Sequence, residues 1–484
     1  MVHKIAKNTF FFTTASIGQK VIAFLYFLFV ARIMMPENTG VYFLALSITT
    51  IFSVVADFGI TSVVIREIAR FPEQTVSIIR RALGLKIPFL FLGILGSLGA
   101  GFFLGYDPFL RSLIVIACFV LTLDAFSLLY YGVLRGQHRL QYESLGMFVG
   151  QGITALFGSI VLFFSPSLPL LIIALVTGSG FNVLFSASRV AHLYGIHCLF
   201  PSWQKETSLL FLRAAFPFAL AAIFVKIYSY TDSILIAKYL GTEAVGIYSV
   251  AYKYTYAFQF LPLAFVAALY PGLSELIEKD LVALRHIFEK AMWYMAVLAT
   301  PIVFGLWAIA SPVVRLAGEG YTNSGPVLAI LVFVLLPIFL DYPIGSLLNA
   351  AYRQSTKTVI MGATMSINVF LNIWFIPLFG VPGAAIAALV SFTFMFFAGL
   401  FFVPKIIPGY PLWALGKMCL PIFLSGGVMA IVAKFLLFIF PFWAVIPFAA
   451  LTYLAMLFIT KSIPKEYQVS IQTFWQKEPS IYVE

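Results

Sequence analysis

The feature that most constrains this chain is a succession of long apolar stretches with almost no charge inside them. They fall at about residues 10–31, 41–64, 87–105, 112–134, 146–165, 168–189, 214–237, 245–271, 291–312, 327–349, 358–379, 382–403, 412–436 and 440–460. Each is close to or above the roughly 20 residues that carry an α-helix through the hydrocarbon core of a bilayer. In lipid, every backbone N–H and C=O must find its partner within the protein. Fourteen such stretches therefore predict an all-α, polytopic membrane protein with about 14 transmembrane helices. Turn residues separate the stretches at Pro36, Gly105 with Pro108, Ser165 to Pro169, Gly241, Gly318 with Gly320, and Gly380 to Gly383. Several connections are only a few residues long and force neighbouring helices to run antiparallel.

Composition narrows the function classes. Of 484 residues, 62% are hydrophobic and 10% charged, far from soluble averages. Little chain remains for a domain outside the membrane, which argues against a large ectodomain, a soluble motor or loop-borne enzyme chemistry. No GxxxxGK[ST] loop is present, so direct use of ATP is not expected. Cys118, Cys198 and Cys419 are scattered and read as packing residues. His3, His138, His192, His197 and His286 all lie between spans, and no metal constellation, catalytic triad or paired-carboxylate site emerges. The first stretch is too long for a signal-peptide core and lacks a small-residue cleavage site, so it is expected to be retained.

The net charge of +11 comes from 30 Lys and Arg against 19 Asp and Glu. Assigned alternately around the spans, 22 of the 30 fall on one side, Lys86 and Lys357 among them. The opposite side holds Arg32, Arg111, Lys238, Arg315 and Lys434, which leaves Lys20, Lys226 and Lys253 inside spans. By the positive-inside rule both termini are cytoplasmic, in a multi-pass protein of the cell (inner) membrane. The charge is a topology signal, and no nucleic-acid partner is implied.

An internal repeat is visible. ARIMMPENTGVYFLA (Ala31 to Ala45) aligns with AKYLGTEAVGIYSVA (Ala237 to Ala251) at an offset of 206, and LRGQHR (Leu134 to Arg139) with LNAAYR (Leu348 to Arg353) at 214. Spans 1 to 6 and 7 to 12 are thus expected to form two pseudo-symmetric six-helix bundles of like orientation. The substrate site would lie between them, as in transporters with parallel repeats. The units are residues 1–205, 206–404, and 405–484 with two additional helices and a short tail.

Charge at mid-bilayer costs about 2.5 to 3.5 kcal/mol even on lenient scales, so such residues face a cavity or a partner. Lys20 lies about ten residues from either end of its stretch, roughly 15 Å from each interface and beyond snorkelling reach. The 206 offset maps it onto Lys226, equally deep in span 7. Asp124 in span 4 and Asp341 in span 10 are counterparts about one turn out of register. Lys253, Asp57 and Asp232 lie nearer span ends and complete the candidate set for cavity or coupling roles. Tyr252, Tyr256 and Gln259 recur with Tyr248 at helical spacing on span 8, and Tyr230 lies one turn from Lys226. Aromatic faces with hydroxyl edges suit sugar rings, while Tyr248 alone is also an ordinary interfacial residue. Arg66 and Arg70, after Gly59 in DFGITSVVIREIAR, reach the headgroup region either as lipid anchors or at the substrate access point. Pro217, Pro262, Pro301, Pro337 and Pro343 interrupt spans and are candidate bends.

In order and spacing, PENTGVYFLALS, DFGITSVVIREIAR, LRGQHR and NVFLNIWFIPLFGVPGAAIAALVS (Asn368 to Ser391) resemble the polysaccharide transport family. These are the lipid-linked oligosaccharide flippases of the multidrug, oligosaccharidyl-lipid and polysaccharide exporter superfamily, and the resemblance covers essentially the whole chain. It implies two six-helix bundles set as a V around a central cavity, plus two helices. It also implies movement of an undecaprenyl-diphosphate-linked oligosaccharide from the cytoplasmic to the outer leaflet for cell-surface polysaccharide (O-antigen, capsule or exopolysaccharide) biosynthesis, with a glycan polymerase as a candidate partner. On that reading Lys20, Lys226 and Lys253 hold the diphosphate, and Tyr230, Tyr252, Tyr256 and Gln259 contact glycan. The carboxylates Asp57, Asp124, Asp232 and Asp341 would then neutralise the cavity or bind a coupling proton or sodium ion, with no other cofactor. A multidrug exporter, which usually has twelve spans and a cavity for cationic drugs, and a lipid II flippase, whose arginine-rich first-span motif is missing here, remain the alternatives. A membrane glycan polymerase or ligase would need a long outer loop, and the outer loops are short.

Overall fold

The computed structural model describes the backbone of residues 2–203 and 205–463, with side chains for 15–203, 209–263, 265–266 and 269–463. The side chains of His3, Lys4, Lys7 and Lys205, and the tail carrying Lys465 and Lys477, lie outside the described residues. Among the described residues, twelve helical stretches are long and apolar enough to cross a membrane. They correspond to the fourteen crossings expected from hydropathy, for two physical reasons. Ala15–Asp57 is 43 residues long, about twice a bilayer at 1.5 Å per residue, and its helix breaks at Met35 (φ 62°, ψ 168°) just before Pro36. Spans 1 and 2 are its two parts. Span 8 is interrupted, with Thr242–Tyr256 and Phe260–Leu276 joined through a 3₁₀ turn at Ala257–Gln259. Pro262 causes that turn, since its ring excludes the carbonyl four residues back. Pro337 does the same in span 10, where Val332–Val334 is 3₁₀ between Ser324–Leu331 and Leu335–Ala350.

The other crossings are span 3 (Thr75–Phe103), 4 (Pro108–Gly136), 5 (Leu140–Phe164), 6 (Leu168–Tyr194), 7 (Lys205–Leu240), 9 (Leu281–Ala308), 11 (Gln354–Phe379), 12 (Val381–Leu400), 13 (Leu412–Leu436) and 14 (Phe442–Ile459). Span 2 stops at Asp57, short of the expected residue 64, because Phe58 (φ 43°) and Gly59 (φ 71°) leave the helical region. The chain resumes as an amphipathic helix, Ile60–Arg70, that buries Ile60, Val63, Val64 and Ile68 and carries Arg66 and Arg70 outward.

Spans 1 to 6 pack on one another, and so do spans 7 to 12. Span 13 lies on span 9, and span 14 on span 13. The two sets meet through spans 1 and 2 against 7 and 8. Their repeat relation extends to backbone conformation. Met35 (φ 62°) and Gly241 (φ 87°) are 206 residues apart, while His138 and Tyr352 (both φ 56°) and Gly195 (φ 82°) and Gly409 (φ 73°) are each 214 apart. Span 4 ends with Arg139 N–H donating to Leu134 O, and span 10 with Arg353 N–H donating to Leu348 O, both at 2.8 Å. A helix-terminating motif with a residue in the left-handed region is thus used twice.

One end of the molecule, where most Lys and Arg lie, is here called the basic end. At the opposite end the two halves touch backbone to backbone. A Cβ on Gly40 would overlap the Thr242 carbonyl oxygen, and one on Gly246 that of Pro36. Buried Tyr321, beyond span 9, places its hydroxyl 3.0 Å from Ala31 O and 2.8 Å from the Thr39 hydroxyl. Aromatic contacts continue this seal inward, with Phe24 against Tyr254 at 5.0 Å and Phe43 against Tyr252 at 5.8 Å between ring centroids.

Candidate functional site

Three lysines converge where spans 1, 7 and 8 meet at mid-depth. Spans 1, 7 and 8 pack against one another there, which sets Lys20 near both Lys226 and Lys253. Lys226 Nζ stands 5.5 Å from the Tyr230 ring centroid, and Lys253 Nζ 5.2 Å from that of Phe27 and 5.7 Å from that of Phe43. Ring faces attract cations only modestly, and among the described residues no carboxylate stands within ion-pair distance of any of the three. The site therefore holds excess positive charge in a membrane protein's interior, an arrangement that favours a bound anion.

Lys86, Arg135 and Lys357, by contrast, each have a carboxylate partner. Lys86, wholly buried, donates to Asp57 Oδ1 at 2.6 Å, where Thr61 also donates at 2.5 Å. Arg135 forks onto buried Glu143, and Lys357 meets Asp341 Oδ2 at 2.5 Å. Lys86 and Lys357 thus belong to the helix interior and are not part of the basic rim to which hydropathy assigned them. Span 3 begins at Thr75 and span 11 at Gln354, both upstream of the apolar runs.

Two cavities flank the cluster, one in each half. The first, about 370 Å³, lies among spans 1, 4, 5 and 6 and is lined by Gln19, Asp124, Tyr131, Arg135, Glu143 and Asn182. Asp124 is exposed to it although it sits mid-span. The second, about 390 Å³, lies among spans 7, 8, 10, 11 and 12 and includes Tyr228, Tyr252, Tyr256, Gln259, Asp341 and Lys357. None of the three lysines lines either cavity; Lys226 reaches the wall of the second through Tyr230, whose ring lies 6.3 Å from that of the lining residue Tyr252, and the first comes closest in the chain at Gln19, next to Lys20.

The remaining candidates go elsewhere. Asp57 lines neither cavity. Asp232 is 2% exposed and accepts a short hydrogen bond from Tyr248, while its Oδ1 has no partner. Tyr248 is accordingly turned into the helix packing, away from the cavity its row otherwise faces. Tyr230 lies beside Tyr252, 6.3 Å between centroids. Arg66 pairs with Glu67 and borders a cavity of about 340 Å³ at the basic end, whereas Arg70 lies over Phe71. Sequence reading missed Gln19, Tyr131, Asn182 and Glu143. Applying the 214 offset to the ion pairs would have found Glu143, which aligns with Lys357.

Residues 5–277 match the family model described as polysaccharide biosynthesis protein, and residues 217–374 match the MatE model. The chain is 28% identical to "Probable flippase AglR" of Haloferax volcanii, over 68% of this chain and 69% of that one. It is 24% identical to the lipopolysaccharide biosynthesis protein WzxC of Escherichia coli, over 74% and 71%. Among solved structures, the lipid II flippase MurJ in an inward closed conformation superposes with a TM-score of 0.74 at 16% identity, covering 95% of this chain and 99% of that one. With more than half of its length matched by the family model, the chain belongs to the polysaccharide biosynthesis protein family of membrane transporters.

Proposed function

We propose that this protein is a flippase that moves an undecaprenyl-diphosphate-linked oligosaccharide from the cytoplasmic to the outer leaflet by alternating access. The observation that carries the reading is the lysine cluster without carboxylates. A diphosphate brings negative charge to mid-membrane, and lysine ammoniums are effective point-charge partners for phosphate. Lys20, Lys226 and Lys253 hold the diphosphate, the flanking cavities receive glycan, and the polyprenyl tail stays in lipid. The basic end faces the cytoplasm, which makes the glycine-lined seal at the opposite end the outer gate. Residues 1–205 and 206–404 are the rocking halves, and within 405–484 spans 13 and 14 form an appendage on span 9. Asp124 and Asp232, neither paired with a cation, are the positions for a coupling proton or sodium ion. The protein makes and breaks no covalent bond.

In proteoliposomes carrying a labelled lipid-linked oligosaccharide, Lys20→Ala and Lys226→Ala each lower the rate of leaflet exchange about 10-fold or more, the worth of a charge-assisted contact, without reducing protein abundance. The product recovered from the far leaflet has the mass of the substrate. Full transport by both variants, or a new glycosidic bond in the product, overturns the assignment.

A further inference from the structure

The two cavities beside the lysine cluster are the same place in each half. Under the 206 and 214 offsets Val225 of the second falls on Gln19 of the first, and Asp341, Asn349, Lys357 and Phe392 fall on Ser127, Arg135, Glu143 and Gly178, all of them lining residues. The chemistry has diverged at these shared positions. The first cavity is lined by two carboxylates, Asp124 and Glu143, against one guanidinium, Arg135, so its wall carries one negative charge in excess. The second is neutral, since Asp341 and Lys357 compensate each other and no other charged residue lines it. It is also aromatic. Tyr252 and Tyr256 stand 4.2 Å apart between centroids, and Tyr228 meets Phe392 edge to face at 5.3 Å.

We infer that the second cavity is the subsite for the sugar next to the diphosphate, and that it takes an uncharged pyranose and rejects a uronic acid. This rests on the diphosphate assignment above. The tyrosine faces offer the apolar C–H surface of a pyranose a stacking partner, and their hydroxyls, with Gln259 and Asn349, offer hydrogen bonds. A sugar carboxylate at the same place would be desolvated without a cation, because Lys357 is committed to Asp341 and the three free lysines hold the diphosphate. An unpaired buried charge is the costliest group to place in such a site. The first cavity cannot rescue it, since its own excess charge is negative.

The test measures binding of three probes to the full chain in nanodiscs: undecaprenyl diphosphate, the same lipid bearing N-acetylglucosamine, and the same lipid bearing glucuronic acid. The N-acetylglucosamine lipid binds at least 10-fold tighter than the bare lipid, and the glucuronic acid lipid binds no tighter than the bare one. Tyr256→Leu and Tyr252→Leu erase the gain from N-acetylglucosamine, so that the sugar-bearing and bare lipids bind each variant equally. Asp341→Asn frees Lys357 and turns the glucuronic acid lipid into the tighter ligand, an outcome that no folding defect produces. Binding of the glucuronic acid lipid by the wild type as tight as or tighter than that of the N-acetylglucosamine lipid, or a sugar gain that survives both tyrosine substitutions, overturns the subsite while leaving the diphosphate reading intact. Bare-lipid affinity that is unmoved by Lys20→Ala and Lys226→Ala overturns the diphosphate reading, and the subsite with it.

Discussion

Within the halves, three embedded cations are matched one for one: Lys86 with Asp57, Arg135 with Glu143, Lys357 with Asp341. At the interface between the halves, Lys226 and Lys253 have aromatic rings beside them, and neither they nor Lys20 has a carboxylate within ion-pair distance among the described residues. The difference separates charge that holds helices together from charge that waits for a guest. Under the proposed rocking of two halves, a matched pair within one half stays in place through a transport cycle. An unmatched cluster between moving bodies can release what it binds.

The comparison is broken most severely by stranding one member of a matched pair. Lys86→Met leaves Asp57 embedded without its cation and lowers stability by about 3 to 5 kcal/mol, visible as a lost or strongly lowered melting transition in detergent. Adding Asp57→Leu recovers most of it. The same kind of change in the unmatched set does the reverse, since Lys20→Ala and Lys226→Ala relieve repulsion and leave the melting temperature unchanged or raised.

Hydropathy made the fourteen crossings legible because lipid contact is written along the chain, and the repeat survived as PENTGVYF against TEAVGIYS. Lys20 and Lys226 were legible through the same offset. Lys86 and Lys357 were not, since each immediately precedes an apolar run and its burial depends on a carboxylate from another span. Periodicity along one helix cannot show a partner on a second. Tyr248 illustrates the same limit. Its spacing puts it in the row with Tyr252 and Tyr256, and only Asp232 on span 7 turns it out of that row.

A smaller effect sharpens the contrast. Pyrophosphate at ten times its dissociation constant stabilises the folded protein by about 1.4 kcal/mol, read as a rise in melting temperature that is absent in the Lys20→Ala, Lys226→Ala double variant. The smallest effect comes from keeping the charge and changing its shape. Lys226→Arg retains a phosphate-binding cation and loses about threefold or less in leaflet exchange.

The unmatched lysines have an electrical consequence. They are fixed to the protein, so under the proposed assignment a diphosphate borrows their charge for the length of its stay and leaves without it. Its own negative charge therefore crosses the membrane field uncompensated by any group that travels with it. In a cell whose interior is negative, each such charge moved outward releases about 2.3 kcal/mol per 100 mV. Release to the outside is then favoured by voltage alone, and an inside-positive potential imposed on sealed vesicles should slow export.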